Sequence, residues 1–408
     1  MRLRRLLAVT HEATVTGAPM NLLHLLTWIR EETDIETHLL VVDDGPLRHR
    51  FEQITEVTVL DQSIAARALG LTQLGLRHLG STRAWRPVAA ARLVPQLRHL
   101  RGFDLVYLNS LTSLSVSPYL PANGPVVSHV HELEVATRTL PSIERGLLES
   151  VPSAWIAASD AVRRMLVEEV GLLGERVLLH YEYVDPRPFE RPGPSLRDIE
   201  RMRREVGVPS EAAVVMGAGT IDWRKGPDLF VQVATEVRRR TRDAVSFLWV
   251  GGHLEGSDWE RVSSDIKRAG ADHVRFLGFK TDPRRWFALA DVFALTSRED
   301  PFPLVCLEHA LLSHPIVTYR NGGMVELLAA AGPDAATGIV DHLDVGSFAD
   351  RVISFLESDR RRSMAGAQLR ERVSAHHTTA VSAPALIGDL ERVVLRTPLG
   401  STVHGSLR

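Results

Sequence analysis

The chain has 408 residues, 44% apolar and 24% charged, which fits two or three globular domains and excludes a disordered or fibrous chain. Its formal net charge of −2 gives nucleic acid no global attraction, so a nucleic-acid partner is not expected. The single cysteine, Cys306, excludes an internal disulfide framework and fits a reducing, cytoplasmic setting, while no apolar run reaches the roughly 18 residues of a membrane span.

In chain order, Arg2, Arg4 and Arg5 precede an apolar patch that stops at Val9 without a cleavage-type site, so the start reads as a first strand. Short apolar runs at 3–9, 37–42, 105–109, 126–130, 155–158 and 177–181 alternate with amphipathic stretches, the pattern of strands and helices in a parallel sheet. A proline-rich stretch, 184–194, then denies the backbone donors that a helix or central strand requires, and is read as a linker. Strand-like runs resume at 213–217, 245–250, 274–277, 292–296 and 316–319, and a last helical stretch covers about 384–395. The fold class is α/β, with two facing, doubly wound, Rossmann-like domains and a cleft between them. The expected domains are 1–185, 186–380 and a C-terminal helix within 381–408 that crosses back to the first.

In such sheets ligands bind at the carboxyl ends of strands, where helix N-termini point at anions. Five segments fall there. Thr14-Val15-Thr16-Gly17-Ala18-Pro19 follows the first strand, with Gly17 allowing close backbone approach and Pro19 suiting a first helical turn. His131-Glu132 ends a first-domain strand; His129 shares its face, but His131 lies nearer the carboxyl end. Residues 216–226 carry Gly217, Gly219, Arg224, Lys225 and Gly226, a set suited to a diphosphate. Asp222 stands where a dinucleotide fingerprint needs its third glycine, which weighs against a nicotinamide or flavin enzyme. Only Lys225, Lys267 and Lys280 are lysines, so Lys225 beside a glycine is unlike an ordinary solvated charge. Residues 297–308 place Glu299 and Asp300 before a helix and Glu308 in its second turn, carboxylates that hydroxyl groups of a sugar nucleotide can donate to. Helix-dipole complementation alone would explain Glu299 or Asp300, though not Glu308. Last, Gly322-Gly323 opens another helix as a phosphate cradle or a tight turn.

Taken together, Gly17-Ala18, His131-Glu132, residues 156–162, Lys225-Gly226, Val250-Gly251-Gly252, residues 276–279, Asp300 through Glu308 and Gly322-Gly323 occur in an order and spacing that resemble the retaining glycosyltransferases of family four, glycogen-synthase-like, with the glycosyltransferase B architecture. The resemblance implies transfer of a sugar from a nucleotide-diphosphate sugar to an acceptor hydroxyl, with retention of configuration. It implies no metal and no other cofactor. Lys225, with Arg224, would bind the donor diphosphate, Glu308 the ribose, and Asp300 beside Glu299 the transferred sugar. Gly322 and Gly323 would lend amides near sugar and phosphate, Gly17 would lie under the diphosphate, and His131 would sit beside the sugar or acceptor. Where the family commonly has arginine, glutamate and glycine, this chain has Thr220, Asp300 and Pro303, and Ala18 replaces a second glycine.

The acceptor stays open among glycans, lipid-linked sugars and small natural products. Residues 62–103 hold Arg67, Arg77, Arg83, Arg86, Arg92, Arg98 and Arg101 and no acid, a pattern that suits an anionic inner-membrane surface, a phosphorylated acceptor or a solvated helix face. The other classes in view are an enzyme of this fold performing phosphorolysis or a non-glycosidic coupling, and a nucleotide-sugar-binding subunit without catalysis.

Overall fold

The computed structural model describes residues 3–60, 82–121, 123–140, 142–242 and 244–396. Arg67 and Arg77 of the arginine-rich segment lie outside these residues. The chain divides into two compact units: the first takes the described residues up to Ala158, Val162–His180 and those from Ser382 onward, and the second takes Ser159–Ala161 and Tyr181–Val381. No helix of the described residues is long and apolar enough to cross a membrane.

In the first unit the strands are β1 (Arg5–Glu12), β2 (Glu36–Asp43), β3 (Glu56–Val59), β4 (Leu105–Asn109), β5 (Val126–Val130), β6 (Ala154–Ala157) and β7 (Val177–Leu179), in the parallel order β3-β2-β1-β4-β5-β6-β7. Central strands are apolar along nearly their whole length because helices cover both faces, which makes them legible as continuous runs. The sequence reading omitted β3. That edge strand spells Glu-Val-Thr-Val, with no residue fully buried, so it lacks the apolar run that marks its neighbours. Leu7, Val9, Leu40, Val106, Leu108, Val130 and Trp155 form one core cluster of this unit. The C-terminal helix Thr379–Arg396 buries Leu386 and Leu390, and its Asp389 Oδ2 meets His180 Nε2 at 2.5 Å within the first unit.

The second unit holds β8 (Ala213–Ala218), β9 (Val245–Val250), β10 (Val274–Phe276), β11 (Val292–Leu295), β12 (Ile316–Tyr319) and β13 (Ile339–Val340), in the parallel order β10-β9-β8-β11-β12-β13. Two clusters flank the sheet, one built on Met216, Leu248, Phe293 and Leu307, the other on Val215, Phe230, Phe247 and Trp249. The proline-rich stretch is not wholly irregular: a four-residue helix, Arg187–Glu190, forms there, because Pro188 falls in its first turn, where no backbone donor is needed.

Both sheets reverse their winding once, between β1 and β4 in the first unit and between β8 and β11 in the second. Crossover connections on either side of such a point leave in opposite directions and open a crevice at the strands' carboxyl ends, the usual ligand position in doubly wound sheets.

Candidate functional site

In the second unit three loops converge at the carboxyl ends of the adjacent strands β8, β11 and β12. The loop after β8 ends in a short 3₁₀ turn, Trp223–Lys225, capped by Asp222, whose Oδ1 accepts the Lys225 amide at 3.1 Å. Gly226 follows at φ 66°, and a Cβ there would stand 2.2 Å from the Thr296 carbonyl oxygen, so only glycine lets this turn lie against the loop after β11. Pro227 then opens helix Pro227–Arg240. Arg298 fastens the same two loops from outside: its guanidinium pairs in bidentate fashion with Asp228 at 2.8 and 2.5 Å, and its amide donates to the Arg224 carbonyl at 2.8 Å.

This clamp delivers Lys225 to Asp300. Lys225 Nζ donates to Asp300 Oδ2 at 2.6 Å, Ser297 Oγ donates to the same oxygen at 3.1 Å, and Arg224 Nη1 lies 3.9 Å from Oδ1. The Asp300 side chain is only 5% exposed and that of Lys225 16%. Sequence reasoning directed the lysine to a diphosphate and the carboxylate to a sugar; the structure turns them toward each other, the short aspartate lying within the reach of the long lysine. Glu299 is buried beside them, and its backbone carbonyl accepts from Arg224 Nη1 at 3.4 Å.

Glu308 is the fifth residue of helix Leu304–Leu311. Burial pushes its carboxyl up to about 7, opposed only in part by the positive charge of Arg284. Its neighbour Cys306 is wholly buried, and burial raises its thiol well above the usual range, so it is a packing residue and not a nucleophile.

Gly322 and Gly323 differ from the expected pair of amide donors. Gly322 has φ 56°, and its absent Cβ leaves room for the Asp300 carbonyl oxygen, which a Cβ would meet at 1.8 Å. The Gly323 amide donates to the Pro301 carbonyl at 2.8 Å, so it is engaged within the protein. Asn321 Nδ2 donates to the Ser297 carbonyl at 2.9 Å, completing the junction. The donors left for an anion are those of the first turn of helix Met324–Ala331, since its first helical bond runs from the Leu327 amide to the Gly323 carbonyl.

In the first unit the loop after β1 is organised by Glu12, which sequence reasoning missed. Its carboxylate accepts from Thr14 Oγ1 at 2.7 Å and Thr16 Oγ1 at 3.2 Å; His11 foremost, with these two hydroxyls, holds it down to about 2 against the opposing effect of burial. Gly17 then begins helix Gly17–Glu32 with an exposed N-terminus, and a Cβ added there would meet nothing within 4 Å. Asn109, the last residue of β4 and fully buried, was also missed; its signal was a polar residue closing an apolar strand. Asn109 Nδ2 donates to the Ala18 carbonyl at 3.0 Å and Oδ1 lies 2.8 Å from His131 Nε2, so it ties the first loop to His131. His129 is buried with its ring centroid 3.9 Å from that of His131, and burial holds it well below the usual imidazole range. Glu132 is structural: it accepts the Ser110 hydroxyl and the amides of Leu111 and His131 at 3.2 and 2.9 Å.

Residues 198–372 match the family model described as glycosyl transferases group 1. A D-inositol 3-phosphate glycosyltransferase 2 of Catenulispora acidiphila is 30% identical over 240 residues, 56% of this chain and 53% of that protein. The alpha-galactosylglucosyldiacylglycerol synthase of Streptococcus pneumoniae is 29% identical over 208 residues, 48% of this chain and 54% of that one. The chain thus spans about half the length of the relatives it matches. Among solved structures, Anabaena HepE in complex with UDP and glucose aligns with a TM-score of 0.76 at 20% identity over 95% of this chain and 100% of HepE. WaaG, a glycosyltransferase involved in lipopolysaccharide biosynthesis, aligns with a TM-score of 0.70 at 13% identity over 95% of this chain and 99% of that chain. Two parallel-sheet α/β domains of the glycosyltransferase B type are therefore the fold. The loops that carry Lys225, Asp300 and Glu308 all lie inside the segment that matches the model of the group 1 glycosyl transferases.

Proposed function

We propose that this protein is a retaining glycosyltransferase that moves a sugar from a nucleotide-diphosphate sugar to an acceptor hydroxyl. The observation that carries the reading is the junction of the three loops at the ends of β8, β11 and β12, which gathers Lys225, Arg224, Asp300 and the helix start at Met324. Lys225 leaves Asp300 for the diphosphate of the donor, with Arg224 and the first-turn amides of the Met324 helix adding positive potential. The departing diphosphate gains charge in the transition state, so these groups stabilise leaving more than binding. Glu308, once ionised, accepts the ribose hydroxyls, and Asp300 with Glu299 borders the transferred sugar. In the first unit, the open helix start at Gly17 suits a phosphate oxygen and His131 suits a hydroxyl of sugar or acceptor. HepE holds UDP and glucose, which places uridine diphosphate sugars first among the donors to test. The relatives are named as a D-inositol 3-phosphate glycosyltransferase and an alpha-galactosylglucosyldiacylglycerol synthase, so polar small molecules and lipid-linked sugars lead the acceptor panel. The single buried cysteine is in keeping with a cytoplasmic setting.

The test is a thermal-shift panel of uridine, guanosine and thymidine diphosphate sugars, followed by donor hydrolysis without acceptor and transfer with it. One donor class is expected to raise Tm and to be turned over slowly. No shift and no turnover with any of them would overturn the reading.

A further inference from the structure

We infer that Glu132 is a positioning residue whose carboxylate clamps Ser110 in a backbone conformation that belongs to glycine, and thereby fixes the chain where β4 and β5 end, at Asn109 and His131. Ser110 directly follows β4 and has φ 86° and ψ 150°. In that region the Cβ of an L residue is crowded by its own backbone, so a residue other than glycine stays there only where its neighbours enforce it. The neighbours are identifiable. The Ser110 amide donates to the His129 carbonyl at 2.9 Å, carrying the pairing of β4 with β5 one residue past the end of β4. The Ser110 hydroxyl donates to Glu132 Oε1, and the same oxygen accepts the Leu111 amide at 3.2 Å. Glu132 Oε2 accepts the His131 amide at 2.9 Å. Both carboxylate oxygens thus face donors, two backbone amides among them, and a glutamine in this place would turn its own N–H groups toward one of those amides. Ser110 is 1% exposed, so water does not stand in for the carboxylate. The hydroxyl also accepts the Thr112 amide at 3.3 Å and so caps the 3₁₀ helix Leu111–Tyr119. Glycine would fit the angles but supply neither bond, which is the physical reason for a serine in a glycine's conformation. Asn109 and His131, whose Oδ1 and Nε2 lie 2.8 Å apart, project from the two chain ends that the clamp ties together. For catalysis, a consequence that rests on the proposed transferase reading, Glu132 keeps the backbone of His131 in place before a substrate arrives and touches no reacting atom.

Thermal melts of four variants test the clamp without reference to activity. Ser110→Gly adopts the same angles freely and loses the hydroxyl, whereas Ser110→Ala keeps the crowding and loses the same bonds, so Ser110→Gly is expected to melt above Ser110→Ala. The reverse order, which is usual where φ is negative, overturns the inference. Glu132→Gln is expected to lower Tm by about 4 °C or more in the wild-type background, and by no more than about half as much beside Ser110→Gly, because glycine needs no clamp. Equal losses in the two backgrounds overturn the inference. If Glu132→Gln alone does not fold, recovery of folded protein by adding Ser110→Gly supports the clamp, and failure of both overturns it. In the transfer assay, Glu132→Gln is expected to lower kcat about tenfold with donor KM within about threefold, a split that loss of folded protein alone does not produce. An unchanged kcat in folded Glu132→Gln protein overturns the positioning role. Absence of transfer by wild type with every donor would remove the transferase reading and leave the melts to decide the clamp.

Discussion

The Lys225 ammonium and the Asp300 carboxylate stand 2.6 Å apart at the junction of two loops that come from different strands, β8 and β11. The two are paired in this structure, and under the proposed function a diphosphate would compete with Asp300 for the lysine. Asp300→Ala leaves the mostly buried ammonium without its anion and is expected to cost about 1–3 kcal/mol of stability, read by urea unfolding. Lys225→Ala is expected to lower transfer at least about tenfold, equivalent to about 1.4 kcal/mol of transition-state stabilisation. Near-normal kcat/KM in purified Lys225→Ala protein would remove Lys225 from the site.

Glu308 links pH to both stability and binding. Its carboxyl titrates at about 7 in the fold against an ordinary 4.5, so folding favours its neutral form. Its contribution is full below 4.5 and is lost as pH rises to about 7, where the half-buried carboxylate becomes charged. Glu308→Gln has no such loss, and at about pH 8 it is expected to exceed wild type by about 1–3 kcal/mol, the difference vanishing toward acid pH. Under the proposed function donor binding runs the other way, because ribose hydroxyls would donate best to the ionised form. Wild-type donor affinity is expected to rise through pH 7 and that of Glu308→Gln to stay low and flat, which titration calorimetry at several pH values would measure.

Glycines after the carboxyl ends of β1 and β12 separate a folding need from a ligand need. An alanine at 322 would place Cβ 1.8 Å from the Asp300 carbonyl at a φ of 56°, so Gly322→Ala is expected to lose stability and to disturb the Lys225 pairing with it. Gly17→Ala has open space around the new methyl and is expected to stay within about 0.5 kcal/mol of wild-type stability. Loss of the donor-induced Tm shift in Gly17→Ala, with the fold intact, would mark 17 as a point of ligand approach; an unchanged shift would exclude it.

Glu12 carries the opposite linkage. Its carboxyl is held down to about 2 by His11, Thr14 and Thr16, so its stabilisation is present above the ordinary 4.5 and is lost as pH falls through 2. Glu12→Gln is expected to cost about 1–2 kcal/mol at neutral pH, and the gap to wild type should close near pH 2 in acid-unfolding curves. A constant gap across that range would show that the cost is packing and not charge.

Much of the second-unit site was legible because its pieces are local. Lys225-Gly226, the spacing from Asp300 to Glu308 and Gly322-Gly323 each lie directly after a strand whose apolar run is plain in the chain. What those pieces do to one another was not legible. Arg298 and Asp228 hold two loops together by a contact across 70 residues, and nothing local distinguishes them from solvated polar residues. The same holds for Asn109, whose partners lie 91 residues before it and 22 after.

By itself the sequence determined the alternation of buried strands and amphipathic helices, hence two parallel sheets and the positions of the loops at the strands' carboxyl ends, because strand period and glycine placement are short-range properties. Only the tertiary structure decided that Lys225 rests on Asp300, that the Gly323 amide is engaged by Pro301, and that one buried asparagine joins the Ala18 carbonyl to His131. These are choices of partner between loops that the winding of each sheet brings together. Hydrogen bonds and ion pairs act over about 3 Å, so their partners are fixed only when the strands that carry the loops have been laid side by side.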